Sequence, residues 1–122
     1  MKKILVIDDD AIVRDTIVEI LESEGYAVIS AEDGKRGVSL FRSEHPDLVI
    51  TDIIMPEREG IQTITEIRAL VPTAKVIAIS GGGRIGNADF LKIARLLGAV
   101  DVISKPFDPD DFVSRVAHCL AG

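Results

Sequence analysis

The sequence predicts an α/β fold in which a five-stranded parallel sheet is covered by helices on both faces. Five short apolar runs have the length and the β-branched composition of strands, and stretches with apolar residues at helical spacing stand between them. The strict alternation of strand and helix favours parallel strands, because each helix returns the chain to the edge where the next strand begins. No repeat, linker or low-complexity tract interrupts the 122 residues, so we expect one domain over residues 1–122.

Each predicted strand is a short apolar run that ends near a polar or turn-forming residue. Leu48–Asp52 is the clearest, because leucine, valine and isoleucine fill most of it and Pro56 follows soon after. Such a run is typical of a strand that is buried on both faces of a sheet. The other four predicted strands are Lys3–Asp8, Tyr26–Ala31, Lys75–Ser80 and Val100–Ser104.

Each predicted helix is bounded by residues that start or stop helices. Gly25 can end the first helix, Asp33 can cap the second, and Asp108 with Pro109 can begin the last. A loop over Met55–Gly60 is expected to precede the third helix. The predicted helices are Ala11–Glu24, Asp33 to about Glu44, Ile61–Leu70, about 88–97, and Asp110–Leu120.

Composition and charge exclude several classes of function. Hydrophobic residues make up 47% and charged residues 28%, as in a folded globular protein, and the net charge of −6 argues against a direct nucleic-acid partner. No apolar stretch approaches the ~20 residues of a membrane span, and the apolar run after Met1 is too short for a signal peptide. The single Cys119 excludes an intramolecular disulfide and is expected to be a buried or half-buried thiol. We therefore expect a cytoplasmic protein with no membrane contact.

Polar groups of a particular kind follow four of the five predicted strands. The first strand ends in Asp8-Asp9-Asp10, the third in Asp52, the fourth in Ser80 and the fifth just before Lys105. Taken singly, these are ordinary helix caps, turn residues, a loop serine and a surface lysine. Because the carboxyl ends of parallel strands share one edge, however, all four groups should meet in one crevice.

The chemistry of that crevice indicates a phosphoryl group carried on a carboxylate. Neighbouring carboxylates repel one another and are stabilised by protons or by a cation. A donor set of oxygens alone selects a hard ion, and Mg²⁺ suits a few carboxylates, bound water and a phosphate. A lysine beside them supplies a compact positive charge for a phosphoryl oxygen, and a hydroxyl supplies one more hydrogen bond.

With these motifs the sequence resembles, along its whole length, the receiver domain of two-component response regulators. The resemblance rests on Ile-Asp-Asp-Asp after the first strand and on Pro-Asp-Leu-Val-Ile-Thr-Asp-Ile-Ile-Met-Pro around Asp52. Gly-Ala shortly before Lys105, and the Lys-Pro-Phe that begins with this lysine, complete the pattern. The resemblance implies a flavodoxin-like doubly wound sheet of order 2-1-3-4-5 with five helices.

The resemblance also implies a role for each residue of the crevice. Asp52 would be the phosphoacceptor, and Asp8, Asp9, Asp52 and the backbone carbonyl of Ile54 would bind Mg²⁺. Lys105 would contact Asp52 before phosphorylation and a phosphoryl oxygen after it, and Ser80 would be the switch hydroxyl. The Lys105–Pro106 peptide bond is expected to be cis. The domain would be a regulatory phosphoacceptor that assists its own phosphorylation and dephosphorylation, rather than an enzyme.

The same resemblance implies two kinds of protein partner. A sensor histidine kinase or a histidine phosphotransfer protein would supply the phosphoryl group. A downstream protein would dock on the face formed by the fourth helix, the fifth strand and the fifth helix. The start at Met1 favours a complete single-domain regulator or an N-terminal fragment over an internal piece of a longer chain.

Three features depart from the usual pattern of the family. Val102 stands where a tyrosine or phenylalanine is usual, so the coupling of the hydroxyl to an aromatic rotamer cannot operate in its usual form. The Ser80-to-Lys105 spacing, which includes the glycine-rich Gly81–Asn87, is about three residues longer than is usual in the family. We expect this loop to be mobile, and the signal either to emerge through its movement or to be weaker. Ile54 and Gly82, two residues after Asp52 and Ser80, cannot position a hydrolytic water by side-chain hydrogen bonds.

His45 and His118 are expected to be ordinary helix positions.

Three rival functions remain open at this stage. A phosphatase of the haloacid dehalogenase type also forms an aspartyl phosphate, but it needs a second Asp where this chain has Ile54. An FMN carrier of flavodoxin type would need a phosphate loop where this chain has its acidic run. A pseudo-receiver that binds partners without phosphorylation remains the third alternative.

Overall fold

The computed structural model of the protein describes residues 1–53, 59–80, 92, 95–104 and 107–121. The side chains of Glu59, Ser80 and Ser104 lie outside the described part of the chain. So do the predicted mobile loop Gly81–Asn87 and the Lys105–Pro106 peptide bond.

Five strands form one parallel sheet in the order β2-β1-β3-β4-β5. Both the parallel pairing and the order confirm the expected doubly wound sheet. Each strand begins and ends within one residue of its predicted bounds. The strands are β1 (Lys3–Ile7), β2 (Ala27–Ala31), β3 (Leu48–Asp52), β4 (Val76–Ser80) and β5 (Asp101–Ser104).

The described residues contain four complete helices, one fewer than the five predicted. They are α1 (Ala11–Ser23), α2 (Gly34–Glu44), α3 (Glu59–Leu70) and the C-terminal helix (Pro109–Ala121). The predicted helix over 88–97 falls mostly outside the described residues, although Lys92, Arg95 and Leu96 within it are helical. No helix in the described part of the chain is both long and apolar enough to cross a lipid bilayer.

The sheet has a separate apolar layer on each face, because alternate residues of a strand point in opposite directions. One layer contains Leu5, Ile7 and Val49 of the sheet, packed with residues of α2 and α3 such as Phe41 and Ile64. The other layer joins the remaining strand residues to α1 and the C-terminal helix, through Ile17, Leu21, Phe112 and Val116. The helices therefore lie in pairs on the two faces, as a doubly wound fold requires.

The structure corrects three local interpretations of the sequence. Ile12, counted with the apolar stripe of α1, is 79% exposed. At 100° per residue it lies about 140° around the helix from the buried Ile17, which is outside the stripe. Gly60 lies within the first turn of α3 rather than in the preceding loop. His45 follows the end of α2 as its cap, in the left-handed region at φ 49°.

Candidate functional site

The strand order places a ligand crevice at the carboxyl ends of β1 and β3. From β1 the chain crosses to β2 on one side, and from β2 it returns past β1 to β3 on the other side. Crossovers that leave neighbouring strands in opposite directions open a crevice between the strand ends. Asp8 follows β1 directly, and Asp52 is the last residue of β3. The two acidic residues therefore lie at the mouth of this crevice.

The structure brings together three of the carboxylates that the sequence singled out. One carboxylate oxygen from each of Asp8, Asp9 and Asp52 lies within 4.8 Å of the other two. Asp8 is 1% exposed and Asp52 is 4% exposed, whereas Asp9 faces solvent. Two of the three charges are thus screened poorly by water, which strengthens both their repulsion and their attraction for a cation.

This cluster fits the donor set that Mg²⁺ prefers. All three ligand atoms are carboxylate oxygens, the hard donors that select Mg²⁺ or Ca²⁺ over softer metals. Two oxygens bound to the same Mg²⁺ are at most about 4.2 Å apart, twice its bond length of ~2.1 Å. Separations of up to 4.8 Å come close to that limit, so small side-chain rotations would bring all three oxygens onto one ion.

The acidic run after β1 divides into two functions. Asp10 caps α1: one of its carboxylate oxygens accepts hydrogen bonds from the backbone N–H of Ile12 (3.0 Å) and Val13 (3.3 Å). Its own backbone N–H donates to Oδ1 of Asp8 at 2.9 Å. The cap interpretation of the run is therefore confirmed for its third residue, while Asp8 and Asp9 join the carboxylate cluster.

Arg14 fixes the main chain of this acidic turn, a role that the sequence reasoning missed. Nη1 of Arg14 donates to the backbone carbonyl oxygen of Asp8 at 2.8 Å. The backbone N–H of Asp8 donates in turn to the carbonyl oxygen of Ala31 at 3.2 Å, which continues the β1–β2 pairing past the strand end. The sequence feature that could have revealed this contact is the positive charge of Arg14, which stands early in the first helix, soon after the acidic run.

Two hydrogen bonds hold the main chain around Asp52. Asp52 is in register with Ile79 of β4, and the backbone N–H of Ile53 donates to the carbonyl oxygen of Ile79 at 3.0 Å. The hydroxyl of the buried Thr51 lies 3.2 Å from the carbonyl oxygen of Asp52, to which it donates. The strand end that carries the candidate nucleophile is therefore a well-anchored part of the fold.

Of the other predicted site residues, the structure describes only the main chain of Ser80. Ser80 is the last residue of β4, is in register with Ser104 of β5, and comes one position after the partner of Asp52. Its backbone therefore ends at the predicted edge. Lys105, Ile54 and Gly82 lie outside the described residues.

Val102, at the position where the family usually has an aromatic residue, is part of the core. It is in register with Ala78 of β4, is 7% exposed, and belongs to the apolar layer beneath α2 and α3. The expectation that a signal bypasses this position stays a prediction.

Comparison with known proteins identifies one family. The response regulator receiver domain matches residues 4–117. The chain is 39% identical over 122 residues to a probable transcriptional regulator ycf27 of Porphyridium aerugineum, which covers 98% of this chain and 48% of that protein. It is 40% identical over 121 residues to the chemotaxis protein CheY of Treponema pallidum, covering 97% of this chain and 82% of that protein. The chain thus spans about half the length of the first relative and most of the second.

Solved structures agree with these sequence relatives. The crystal structure of a CheY-like response regulator receiver domain protein from Methanospirillum hungatei superposes with a TM-score of 0.88 at 31% identity. The similarity covers 99% of this chain and 94% of that one. The same fold therefore extends over both chains almost completely.

Proposed function

The chain belongs to the response regulator receiver domain family of two-component systems, and on that premise we propose that Asp52 is its phosphoacceptor. The observation that carries this proposal is the meeting of Asp52 with Asp8 and Asp9 at the carboxyl edge of the sheet. A carboxylate held at a strand end, beside two more that attract a cation, can act as a nucleophile toward phosphorus.

The transfer exchanges one bond to phosphorus for another. An oxygen of the Asp52 carboxylate attacks the phosphorus of a phosphohistidine on a sensor kinase or a histidine phosphotransfer protein. The P–O bond forms as the P–N bond breaks, and its electron pair returns to the imidazole, which takes up a proton from water. Asp52 then carries an acyl phosphate, and the donor histidine is regenerated.

Mg²⁺ is the cofactor that we propose for this step. Asp8, Asp9 and Asp52 would hold the ion with their carboxylates, and the backbone carbonyl of Ile54 would complete the protein ligands. When bound, the ion would neutralise part of the charge that develops on the phosphoryl oxygens. The protein's own contribution is to keep the Asp52 oxygen in line with the donor and to hold the neighbouring carboxylates in place.

Two further residues would recognise the product. We assign Lys105 to a phosphoryl oxygen, which a lysine ammonium binds as a point charge. Ser80 would donate its hydroxyl to another phosphoryl oxygen. The end of its strand at the same sheet edge supports this assignment.

The outcome of phosphorylation would be a change in partner binding rather than turnover of a substrate. Receiver domains act with histidine kinases and downstream effectors. The output face would be the surface of the region around 88–97, β5 and the C-terminal helix. We further propose that the domain assists both its own phosphorylation and its dephosphorylation.

The test is intact-mass analysis after incubation with Mg²⁺ and acetyl phosphate, a small phosphoryl donor. We expect one phosphoryl adduct on the wild type, and none on Asp52→Asn or in the presence of a chelator. Asp15→Asn, which removes an exposed carboxylate from α1, is the matched control and should be phosphorylated like the wild type.

Three outcomes would contradict the proposal in different ways. An equal adduct on Asp52→Asn would assign the acceptor to another residue. An unmodified wild type that still binds a partner would indicate a pseudo-receiver. Many turnovers of phosphate release would instead indicate a phosphatase.

A further inference from the structure

Gly60, in the first turn of α3, lies directly against the main chain that carries Asp52. Gly60 is buried, and a Cβ atom built on it would lie less than 3.0 Å from the carbonyl oxygen of Asp52 and from Cα and the carbonyl carbon of Ile53. Real Cβ atoms essentially never approach other heavy atoms so closely. All three opposing atoms belong to the backbone, so no side-chain rotation can make room for a methyl group.

The strand side of this contact has little freedom to move. Ile53 donates its N–H to the carbonyl oxygen of Ile79, and its side chain is 1% exposed within the core. The carbonyl oxygen of Asp52 also accepts the hydroxyl of Thr51. A displacement of this segment would therefore break sheet pairing or core packing.

Helix α3, on the other side of this contact, also has little freedom to move. Ile64 and Ile67, one and two turns further along α3, are 0% exposed and pack in the same apolar layer as Ile53. Because protein cores are close-packed, α3 cannot withdraw from the sheet without opening a void. A side chain at position 60 would therefore be accommodated by a shift that both elements share.

From this geometry we propose that Gly60 is a positioning residue for the phosphoacceptor, an inference that rests on the function proposed above. The missing side chain lets the first turn of α3 rest on the Asp52–Ile53 main chain and fix the direction in which the Asp52 carboxylate leaves the strand. That direction sets the distances from its oxygens to those of Asp8 and Asp9. Since Mg²⁺ demands near-ideal octahedral geometry, displacements of a few tenths of an ångström weaken its binding.

The test compares Mg²⁺ affinity in Gly60→Ala and the wild type by isothermal titration calorimetry, and follows the backbone amide signals of Asp52 and Ile53 by NMR. We expect Gly60→Ala to raise the Mg²⁺ dissociation constant about tenfold or more and to shift both amides, since small misplacements have large effects at such sites. At saturating Mg²⁺, its rate of phosphorylation by acetyl phosphate should fall as well.

Ile64→Val is the matched control, because it removes one buried methyl group from the same helix, one turn beyond Gly60. It should lower stability and leave the Mg²⁺ dissociation constant within about twofold of the wild type. Helix propensity alone predicts that alanine stabilises α3 relative to glycine, so a loss of stability in Gly60→Ala separates the steric effect from propensity.

The other possible outcomes also decide whether Gly60 positions the Asp52 carboxylate. If Gly60→Ala is poorly folded, all three proteins are compared in an osmolyte that favours the compact state. The proposal is overturned if Gly60→Ala binds Mg²⁺ like the wild type, or if it stays unfolded in osmolyte while Ile64→Val folds, since Gly60 would then be needed only for folding. If the wild type is not phosphorylated, the proposed phosphoacceptor function is wrong. The comparison of Mg²⁺ dissociation constants would still test whether Gly60 positions the Asp52 carboxylate.

Discussion

The two edges of the sheet handle charge in opposite ways. At the carboxyl edge, the fold gathers three carboxylates of like charge within 4.8 Å of one another. At the amino edge, cations meet acceptors: the Lys3 ammonium lies 3.1 Å from a carboxylate oxygen of Glu44, and Lys75 donates to the carbonyl oxygen of Cys119 at 2.9 Å. Bringing like charges together opposes folding, whereas the amino-edge contacts stabilise the fold.

This difference indicates what each edge is for. The amino edge ties the ends of strands and helices together, as Arg68 does when it donates to the carbonyl oxygen of Ala74 at 2.7 Å. The carboxyl edge gathers negative charge, which opposes folding and which a bound cation would offset. Mutations at the two edges should therefore have opposite effects on stability, and only those at the carboxyl edge should change Mg²⁺ binding.

The largest expected effect comes from neutralising one carboxylate of the cluster. For the wild type we expect Mg²⁺ at 100 times its dissociation constant to stabilise the fold by about 2.7 kcal/mol, and Asp9→Asn should abolish this stabilisation. Without Mg²⁺ the variant should melt about 2–4 °C higher than the wild type, because a repulsion is removed. Thermal unfolding with Mg²⁺ and with a chelator measures both effects.

The amino-edge counterpart is Asp47→Asn. A carboxylate oxygen of Asp47 accepts the backbone N–H of Lys3 at 2.8 Å, so its neutralisation should lower the melting temperature and leave the Mg²⁺ effect intact. If both variants moved stability in the same direction, the contrast between the edges would be wrong.

A smaller loss of stability is expected from Arg115→Ala. Arg115 of the C-terminal helix lies 3.0 Å from a carboxylate oxygen of Asp101 at the start of β5, and 3.0 Å from one of Asp111. Both pairs are partly exposed, so we expect a loss of about 1 kcal/mol in urea unfolding. The loss should shrink in 1 M salt, and Mg²⁺ affinity should not change. Arg115→Lys, which keeps the charge but not the two-sided geometry, should lose about half as much.

A gain in stability is expected from His45→Gly near the amino edge. His45 has φ 49°, a left-handed conformation that is strained for residues with a side chain and is the usual place for glycine at a helix end. We expect urea unfolding to show a gain of about 0.5–1 kcal/mol. His45→Ala keeps the strain and serves as the control, so an equal gain there would assign the effect to the imidazole instead.

The smallest effect concerns the half-buried Cys119. Burial, and secondarily the negative charge of Asp101, raise the pKa of its thiol above the ordinary value. The thiolate is the reactive form, so alkylation at pH 8 should be slower than in the urea-unfolded chain and should accelerate as the pH rises. Asp101→Asn should lower this pKa and speed alkylation by about twofold. An unchanged rate would show that access rather than charge limits the reaction.

Much of the site could be predicted because its residues stand at strand ends. The apolar run through Ile50 predicts a buried parallel strand, and parallel strands bring their carboxyl ends to one edge whatever the packing details. Local sequence patterns alone therefore predicted that Asp8, Asp9 and Asp52 lie close together. The helix cap at Asp33, which accepts the N–H of Arg36, is equally local in origin.

The contacts between elements that are distant in sequence could not be predicted in this way. Helical periodicity alone places Ile12 outside the apolar stripe of α1, but it does not show that this stripe packs against β1 and the C-terminal helix. The same holds for Arg14, whose reach to the Asp8 carbonyl depends on where α1 sits above the acidic turn.

The alternation of strands and helices, and the chemistry at the strand ends, were thus encoded locally. They depend on the 2.0 and 3.6 residue periods and on turn residues, which act over a few positions of the chain. The contact of Arg14 with the Asp8 carbonyl, the place of Val102 in the core and the contact of Gly60 with the Asp52 main chain were decided by tertiary packing. These depend on distances between surfaces that meet only when the whole sheet and its helices are assembled, and a one-dimensional pattern contains no such distances.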